Sequence, residues 1–424
     1  MTRGENVTEH RPHAASPADM ADRIVLRIEE LAGISEREGE VTRVAFSPEH
    51  RRAADLILGW MREAGMAARQ DEIGNVVGRY EGAEPGAPAL MTGSHYDTVR
   101  NAGKWDGPLG VVTAIECVAA LSAAGTRLPH AIEVVGFCDE EGVRFSSTLL
   151  GSRAVAGTFD EGTLEAKDAQ GVSVRAAMTA FGLDPARVGR AARRRADVLA
   201  YLELHIEQGP VLEAENLPVG VVTAISGANR FRVELEGMAG HAGTVPMTLR
   251  RDALAGAAEC VLAVEALARE GIGVVGTVGQ IEALPGATNV IPGRAVFTID
   301  IRAADDVQRR ETVSDVVDAI DEIAARRGLK ARIIKTHENG TARCAPWLQA
   351  QLAAAIAGAG HRVLELPSGA GHDGMAMIDL TDIAMIFVRC RGGISHHPAE
   401  HVSAEDVAAG AAVLLSALAG FRAR

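Results

Sequence analysis

Residues 93–110 read Gly-Ser-His-Tyr-Asp-Thr-Val-Arg-Asn-Ala-Gly-Lys-Trp-Asp-Gly-Pro-Leu-Gly. A short apolar run, Ala89-Leu90-Met91, precedes them and suits a buried strand. An apolar, alanine-rich segment, residues 111–124, follows and suits a packed helix. This order puts His95, Asp97 and Asp106 at the carboxyl end of a strand, where open α/β sheets place their ligands. A neutral imidazole and two carboxylates are hard-to-borderline donors. They favour Zn, Mn, Fe or Co over copper(I) or an iron–sulfur cluster. Alone, the stretch is equally a polar loop with a satisfied histidine, so the decision falls to segments further along.

Two more apolar runs end in ionisable residues. Residues 131–138 run into Asp139-Glu140-Glu141-Gly142, and residues 199–204 run into His205-Ile206-Glu207-Gln208-Gly209-Pro210. Three buried strands ending this way mark a site at one edge of an α/β sheet. Adjacent glutamates face opposite ways on a strand, but in a turn both can enter one cavity. One could then bind a metal while the other stays free as a base; an isolated Glu-Glu is more often an exposed acidic turn. His205 by itself is more often structural than a ligand. Near the C-terminus, Gly392-Gly393-Ile394-Ser395-His396-His397-Pro398-Ala399-Glu400 offers two imidazoles, either of which could ligate.

The 424 residues exceed what one hydrophobic core usually serves, so two domains are expected. The chain is 47% hydrophobic and 23% charged, an ordinary globular composition. A net charge of −13 and no long basic run argue against nucleic acid as partner. Arg193-Arg194-Arg195 reads as a solvated helix face or loop. Five widely spaced cysteines without C-x-x-C fit a reduced, cytoplasmic protein. The first 20 residues hold no apolar block, so no signal peptide is expected, and no run approaches a membrane span.

Residues 1–15 read as a disordered tail, and Ser16-Pro17 as a helix start. Ile24, Ile28 and Leu31 make a core-facing stripe, and Ser47-Pro48-Glu49 starts a second helix that stops near Gly65. Residues 75–79 are a short strand. From about Val222 the texture changes: Phe231, Val233 and Leu235 alternate with polar residues, as in a sheet with one exposed face. A helix over 252–270, strands over 273–281 and 295–302, a helix over 306–327 and a strand over 330–335 follow. This β-α-β-β-α-β order predicts an inserted α+β domain of the split-βαβ kind over residues 222–336. It divides a catalytic domain into 1–221 and 337–424. In the second part, a helix over 345–359, strands over 362–366 and 385–388, and a helix over 404–419 are expected.

Within the inserted domain, Gly240-His241-Ala242-Gly243 sets a histidine on a glycine loop, while Asn289 and Arg302 could bind a carboxylate, Arg302 by a bidentate fork. The same residues also suit a turn and a strand-end surface charge.

The order of these motifs resembles the N-carbamoyl-L-amino-acid hydrolase and allantoate amidohydrolase family, within the wider group of two-metal aminopeptidases and carboxypeptidases. The resemblance runs from about Ile24 to the C-terminus. Its most specific pieces lie at residues 93–99, 105–110, 139–145, 203–213, 241–252, 289–293, 368–373 and 393–400. It implies a mixed-sheet two-metal peptidase-like α/β domain with an inserted dimerisation domain, and two divalent ions, Zn or Mn. It makes His95, Asp106 and His205 ligands of one ion, with Asp106 bridging to a second held by Glu141 and His396. Relatives commonly carry a small polar residue where this chain has His397. Asp97 would orient His95, and Glu140 would be the general base. His241 would reach the active site of a partner subunit, implying a homodimer. Gln208, Asn289 and Arg302 would contact substrate, and Gly371 and His372 would line the same cleft.

The resemblance therefore implies hydrolysis of the ureido C–N bond of a small carboxylate, allantoate first. An N-carbamoyl-L-amino acid, ureidoglycolate or β-ureidopropionate are alternatives; residues 217–222 and 276–281 lean to the carbamoylase side. A non-catalytic binding protein on the same fold is the reading from another class.

Overall fold

The computed structural model describes residues 17–424. The expected tail over 1–15 and the expected cap at Ser16 lie outside them. By contact, the chain forms two compact units. The larger holds residues up to Thr223, Cys344–Leu366 and His372–Arg424; the smaller holds Ala224–Arg343 and Pro367–Gly371.

The larger unit opens with helices α1 (Pro17–Ala32) and α2 (Pro48–Glu63). Ser47 caps α2 by accepting the His50 amide, with Pro48 at the first helical position. Strands β1 (Ala67–Gln70), β2 (Val76–Tyr80) and β3 (Ala89–His95), helix α3 (Pro108–Ala123) and strand β4 (Ala131–Phe137) follow. Helices α4 (Leu150–Ala156) and α5 (Val174–Ala180), strand β5 (Val198–Ile206), the short α6 (Val211–Ala214) and β6 (Val219–Ile225) complete its first segment.

The smaller unit contains β7 (Gly227–Glu236), β8 (Gly240–His241), α7 (Ala253–Glu270), β9 (Val274–Thr277) and β10 (Ile281–Leu284). Strands β11 (Val290–Ile291) and β12 (Arg294–Ala303), helix α8 (Asp306–Arg327), β13 (Lys330–Asn339) and β14 (Ala342–Arg343) follow. The chain returns through α9 (Pro346–Gly358), β15 (Glu365–Ser368), α10 (Gly374–Met377), β16 (Ile383–Val388) and α11 (Ala404–Gly420).

In the larger unit the strands run β1-β2-β4-β3-β5-β16-β6. The middle four, β4, β3, β5 and β16, are mutually parallel, while β1, β2 and β6 pair antiparallel. The sheet is therefore mixed. β3 and β4 are buried at every position, so they read as continuous apolar runs rather than alternations. Helices α1, α3 and α11 pack on one another, and α3 lies along β3, β4 and β5. One charge is buried with them: Glu116 of α3, 1% exposed, accepts Arg23 Nε at 2.7 Å and pairs with Arg27 at 3.1 Å, pinning α1 to α3.

In the smaller unit β10-β12-β7-β13 form an antiparallel sheet, with β9 also beside β12. Phe231, Val233 and Leu235 point to the core with α7 and α8, while Arg230, Arg232 and Glu234 take the other face. Residues 273–281, read from sequence as one strand, are two. Thr277 pairs with Asp300 and Ile281 with Phe297, so four steps on one side face three on the other. The extra residue makes a bulge around Gly279, which ends β9 and restarts the ladder as β10. The expected strand at 362–366 forms at Glu365–Ser368 instead. Of the arginine run, Arg194 is solvated beside Asp197, but Arg193 pairs with Glu133 of β4 and Arg195 donates to the Leu380 carbonyl.

Candidate metal centre

The parallel strands deliver the site. β3 ends at His95, and His205 is the second-last residue of β5. β4 ends at Phe137; Asp139, at φ 58°, then turns the chain, so Glu140 and Glu141 leave the strand together. A left-handed backbone lets two neighbouring glutamates share one cavity, which an extended strand would forbid. Gln208 and His396 take the same conformation, at φ 55° and 56°. Gly107, at φ 81°, joins Asp106 to α3; a Cβ there would stand 2.4 Å from the His95 ring. No other residue fits that turn.

Two three-residue clusters result, His95-Asp106-His205 and Asp106-Glu141-His396, and Asp106 belongs to both. Its Oδ1 lies 3.5 Å from His95 Nε2 and 3.1 Å from His205 Nε2. Its Oδ2 lies 3.2 Å from His396 Nε2, which is 3.5 Å from Glu141 Oε1. Glu140 joins His95 and Glu141 in a third grouping. His397 turns elsewhere: its Nδ1 accepts the Ala399 amide at 3.0 Å.

The tautomers follow from hydrogen bonding. His95 Nδ1 donates to the Asp97 carbonyl at 3.1 Å and His205 Nδ1 to the Ile206 carbonyl at 2.9 Å. A carbonyl can only accept, so both Nδ1 atoms carry the proton. Each Nε2 then turns a lone pair towards the Asp106 carboxylate, which is also only an acceptor. Two acceptors at these distances need a proton or a metal cation between them.

The electrostatics agree. Burial lifts Asp106, but hydrogen bonds from His205, His396 and His95 outweigh it and hold its carboxyl well below the usual range. Burial pushes Glu140 well above that range; His95 draws it back, and Glu141 adds to the rise. Burial, then Asp106, raises Glu141 to about 7. The hydrogen bond to Asp106 raises His396 to about 9. Burial alone would lower His95, yet Asp106, Glu140 and Asp97 raise it well above its ordinary value. Such a surplus of buried carboxylate around inward lone pairs is the environment a divalent cation satisfies. The donor set of imidazole and carboxylate fits zinc or manganese.

Asp97 differs in detail from its expected part. Its carboxylate lies 3.6 Å from His95 Nδ1, and the nearer bond uses its backbone carbonyl. The carboxylate oxygens accept the amides of Glu140 and Glu141, at 3.1 and 3.3 Å. Asp97 thus ties the Glu-Glu turn to the end of β3. Gln208 Nε2 donates to Asp106 Oδ2 at 2.8 Å and to Ser395 Oγ at 3.1 Å, leaving its buried Oε1 without a partner. The buried His372 ring stands edge-on to His205, centroids 4.4 Å apart, and burial keeps it neutral.

The remaining expected residues lie on the smaller unit. His241 is exposed on β8, and the Ala242 amide donates to the Asn289 carbonyl, setting the two side by side. Arg302 makes a fork to Asp300, with Nε and Nη2 each donating at 2.9 Å, and Nη1 donates to the Gly369 carbonyl at 2.7 Å, which uses three of its five N–H groups. Gly371 belongs to the same unit. Sequence reasoning passed over Ser395 and Glu400, which bond around Asp106, and Glu203, whose buried carboxylate accepts from Ser94 and the Gly374 amide. Nothing in residue spacing marks them, because the bonds that tie them to Trp105, Asp106, Ser94 and Gly374 span 109 to 295 residues.

Parallel strand ends that converge on a shared aspartate, two glutamates and three imidazoles define a metallohydrolase. The chain belongs to peptidase family M20/M25/M40, whose model matches residues 91–420. It is 43% identical to the N-carbamoyl-L-amino acid amidohydrolase of Geobacillus stearothermophilus, over 93% of this chain and 96% of that one. It is 41% identical to the allantoate deiminase of Arabidopsis thaliana, over 97% and 84%. A crystal structure of an amidase of the hydantoinase/carbamoylase family from Burkholderia multivorans superposes with a TM-score of 0.89 at 34% identity, over 94% and 97%. Among the described residues no helix is long and apolar enough to cross a membrane.

Proposed function

We propose that this protein hydrolyses the ureido C–N bond of a small carboxylate, allantoate or an N-carbamoyl-L-amino acid. The observation that carries this is Asp106, shared by two ligand clusters with Glu140 beside them. The relatives' names divide between the two substrate classes.

His95, Asp106 and His205 would hold one cation, and Asp106, Glu141 and His396 a second, with zinc or manganese the candidates. Such ions lower the pKa of water and polarise a carbonyl oxygen. Glu140 then accepts the proton of the attacking water and returns it to the leaving nitrogen. With an N-carbamoyl substrate the products are the amine, carbon dioxide and ammonia. Gln208 Oε1 is the acceptor left to meet a ureido N–H. Asn289 and Arg302 would take the substrate carboxylate, and Gly371 and His372 would line the cleft. His241 of a second copy would steady the developing oxyanion, which makes the working form a homodimer. The cysteines are all buried and unpaired, which supports a cytoplasmic setting.

The test is ammonia release from allantoate, several N-carbamoyl-L-amino acids and ureidoglycolate, with Zn and Mn added separately. Metal-dependent release from one class is expected. Metal-loaded protein that hydrolyses none of them would leave only a binding role.

A further inference from the structure

Glu400 is a buried acid, 4% exposed, that belongs to neither cation cluster. Its Oε1 accepts the backbone amides of Trp105 at 2.8 Å and Asp106 at 3.1 Å. Its Oε2 lies 3.1 Å from the Ser395 hydroxyl, whose shorter bond, 2.6 Å, goes to Asp106 Oδ2. Gly103 lies against this carboxylate; a Cβ there would stand 2.3 Å from Glu400. The loop after β3 and the loop after β16 thus meet on one side chain.

Asp106 must present Oδ1 to His95 and His205 while Oδ2 faces His396, so the plane of its carboxylate matters. Two contacts fix that plane on the Oδ2 side, Ser395 and Gln208. Glu400 anchors the Asp106 backbone through Oε1 and packs against the Ser395 hydroxyl through Oε2. The Oδ1 side is held independently, since His95 and His205 sit on strands with their Nδ1 atoms tied to carbonyls. We propose that Glu400 is a positioning residue that sets the Asp106 carboxylate for the Asp106-Glu141-His396 cation, leaving the His95-Asp106-His205 cation little affected. This rests on the two-cation reading above. Glu400 is not counted as a third ligand, because its Oε1 is taken by two backbone amides and it joins none of the ligand groupings among the described residues.

The experiment is calorimetric titration of the chelator-stripped full chain with Zn2+, repeated with Co2+ followed by visible absorption. Wild type takes two equivalents. Glu400→Ala keeps the first and weakens the second by about 10–100-fold, the usual scale for a residue behind a ligand. Glu400→Gln, whose amide oxygen still accepts the two backbone N–H groups, binds the second close to wild type. Ser395→Ala removes only the hydroxyl and weakens the second less than Glu400→Ala. A folded Glu400→Ala that takes both equivalents like wild type, or loses both equally, overturns the proposal. If that variant does not fold, an unchanged second equivalent in Ser395→Ala overturns it instead. Wild type that binds no metal refutes the two-cation reading itself, before any variant is made.

Discussion

The two units treat charge in opposite ways. At the sheet edge of the larger one, Asp97, Asp106, Glu140 and Glu141 crowd together with no arginine or lysine side chain bonded to any of them among the described residues, and the ionisable bases facing them are histidines. On the open face of the smaller one acids sit beside arginines: Asp300 meets Arg230 and Arg302, and Glu234 meets Arg232 and Arg294. The balanced, half-exposed pairs are screened by water and contribute little. The unbalanced, buried acids are costly unless something positive enters. A closed unit can afford that deficit only where a cation completes it, and this contrast marks the larger unit as the chemical one.

Substitutions should hit the two regions unequally. Glu140→Gln should keep metal content and lower turnover by about 10²–10⁴-fold, the range of a general base. Full activity in that variant would remove Glu140 from the role. Stripping metal with a chelator should lower the melting temperature, since a cation at a hundredfold over its Kd stabilises by about 2.7 kcal/mol. A melting temperature indifferent to chelation would erase the contrast between the units.

The pH profile sharpens the same point. Glu140 and Glu141 bind protons more tightly folded than unfolded, so metal-free protein has their full stabilising contribution below the ordinary glutamate pKa. It loses that stability as pH rises through about 7, the value of Glu141. His396, also raised, extends the loss towards pH 9. Asp106 acts in the opposite sense, but only at acid pH. Bound cations replace these protons and should flatten the slope. Melting curves from pH 5 to 9, with and without Zn2+, compare the two; parallel curves would contradict the account.

In the smaller unit, Arg302→Ala should raise the Michaelis constant for a carboxylate substrate by about tenfold, the worth of one charge-assisted hydrogen bond. An unchanged constant would move the carboxylate site elsewhere. Least of all, Arg269→Ala, which breaks the exposed Glu265 pair on α7, should shift stability by at most about 0.5 kcal/mol in thermal unfolding. A larger loss would mean the face is covered in solution.

Local pattern decided a good deal. Helix α8 runs over the expected residues 306–327, between Asp305, which accepts the amides of Val307 and Gln308, and Gly328 in the left-handed region. The alternation of Phe231, Val233 and Leu235 was legible because one face of that sheet is wet. The bulge at Gly279 was not, because strand register depends on the neighbour, β12. β6 also escaped notice, since its apolar run has no period that separates strand from helix.

By itself, the order of residues fixed which groups could act: apolar runs ending in His95, Glu140-Glu141 and His205, with a histidine pair near the C-terminus. The resemblance already paired His396 with Asp106; only the folded chain decided that His397 folds onto its own turn, that Asp97 braces the glutamates through their amides, and that Glu400 stands behind Asp106. The reason is distance along the chain. Hydrophobic period and turn chemistry act over a few residues, whereas these bonds join segments tens to hundreds of residues apart, where parallel strands bring their ends together.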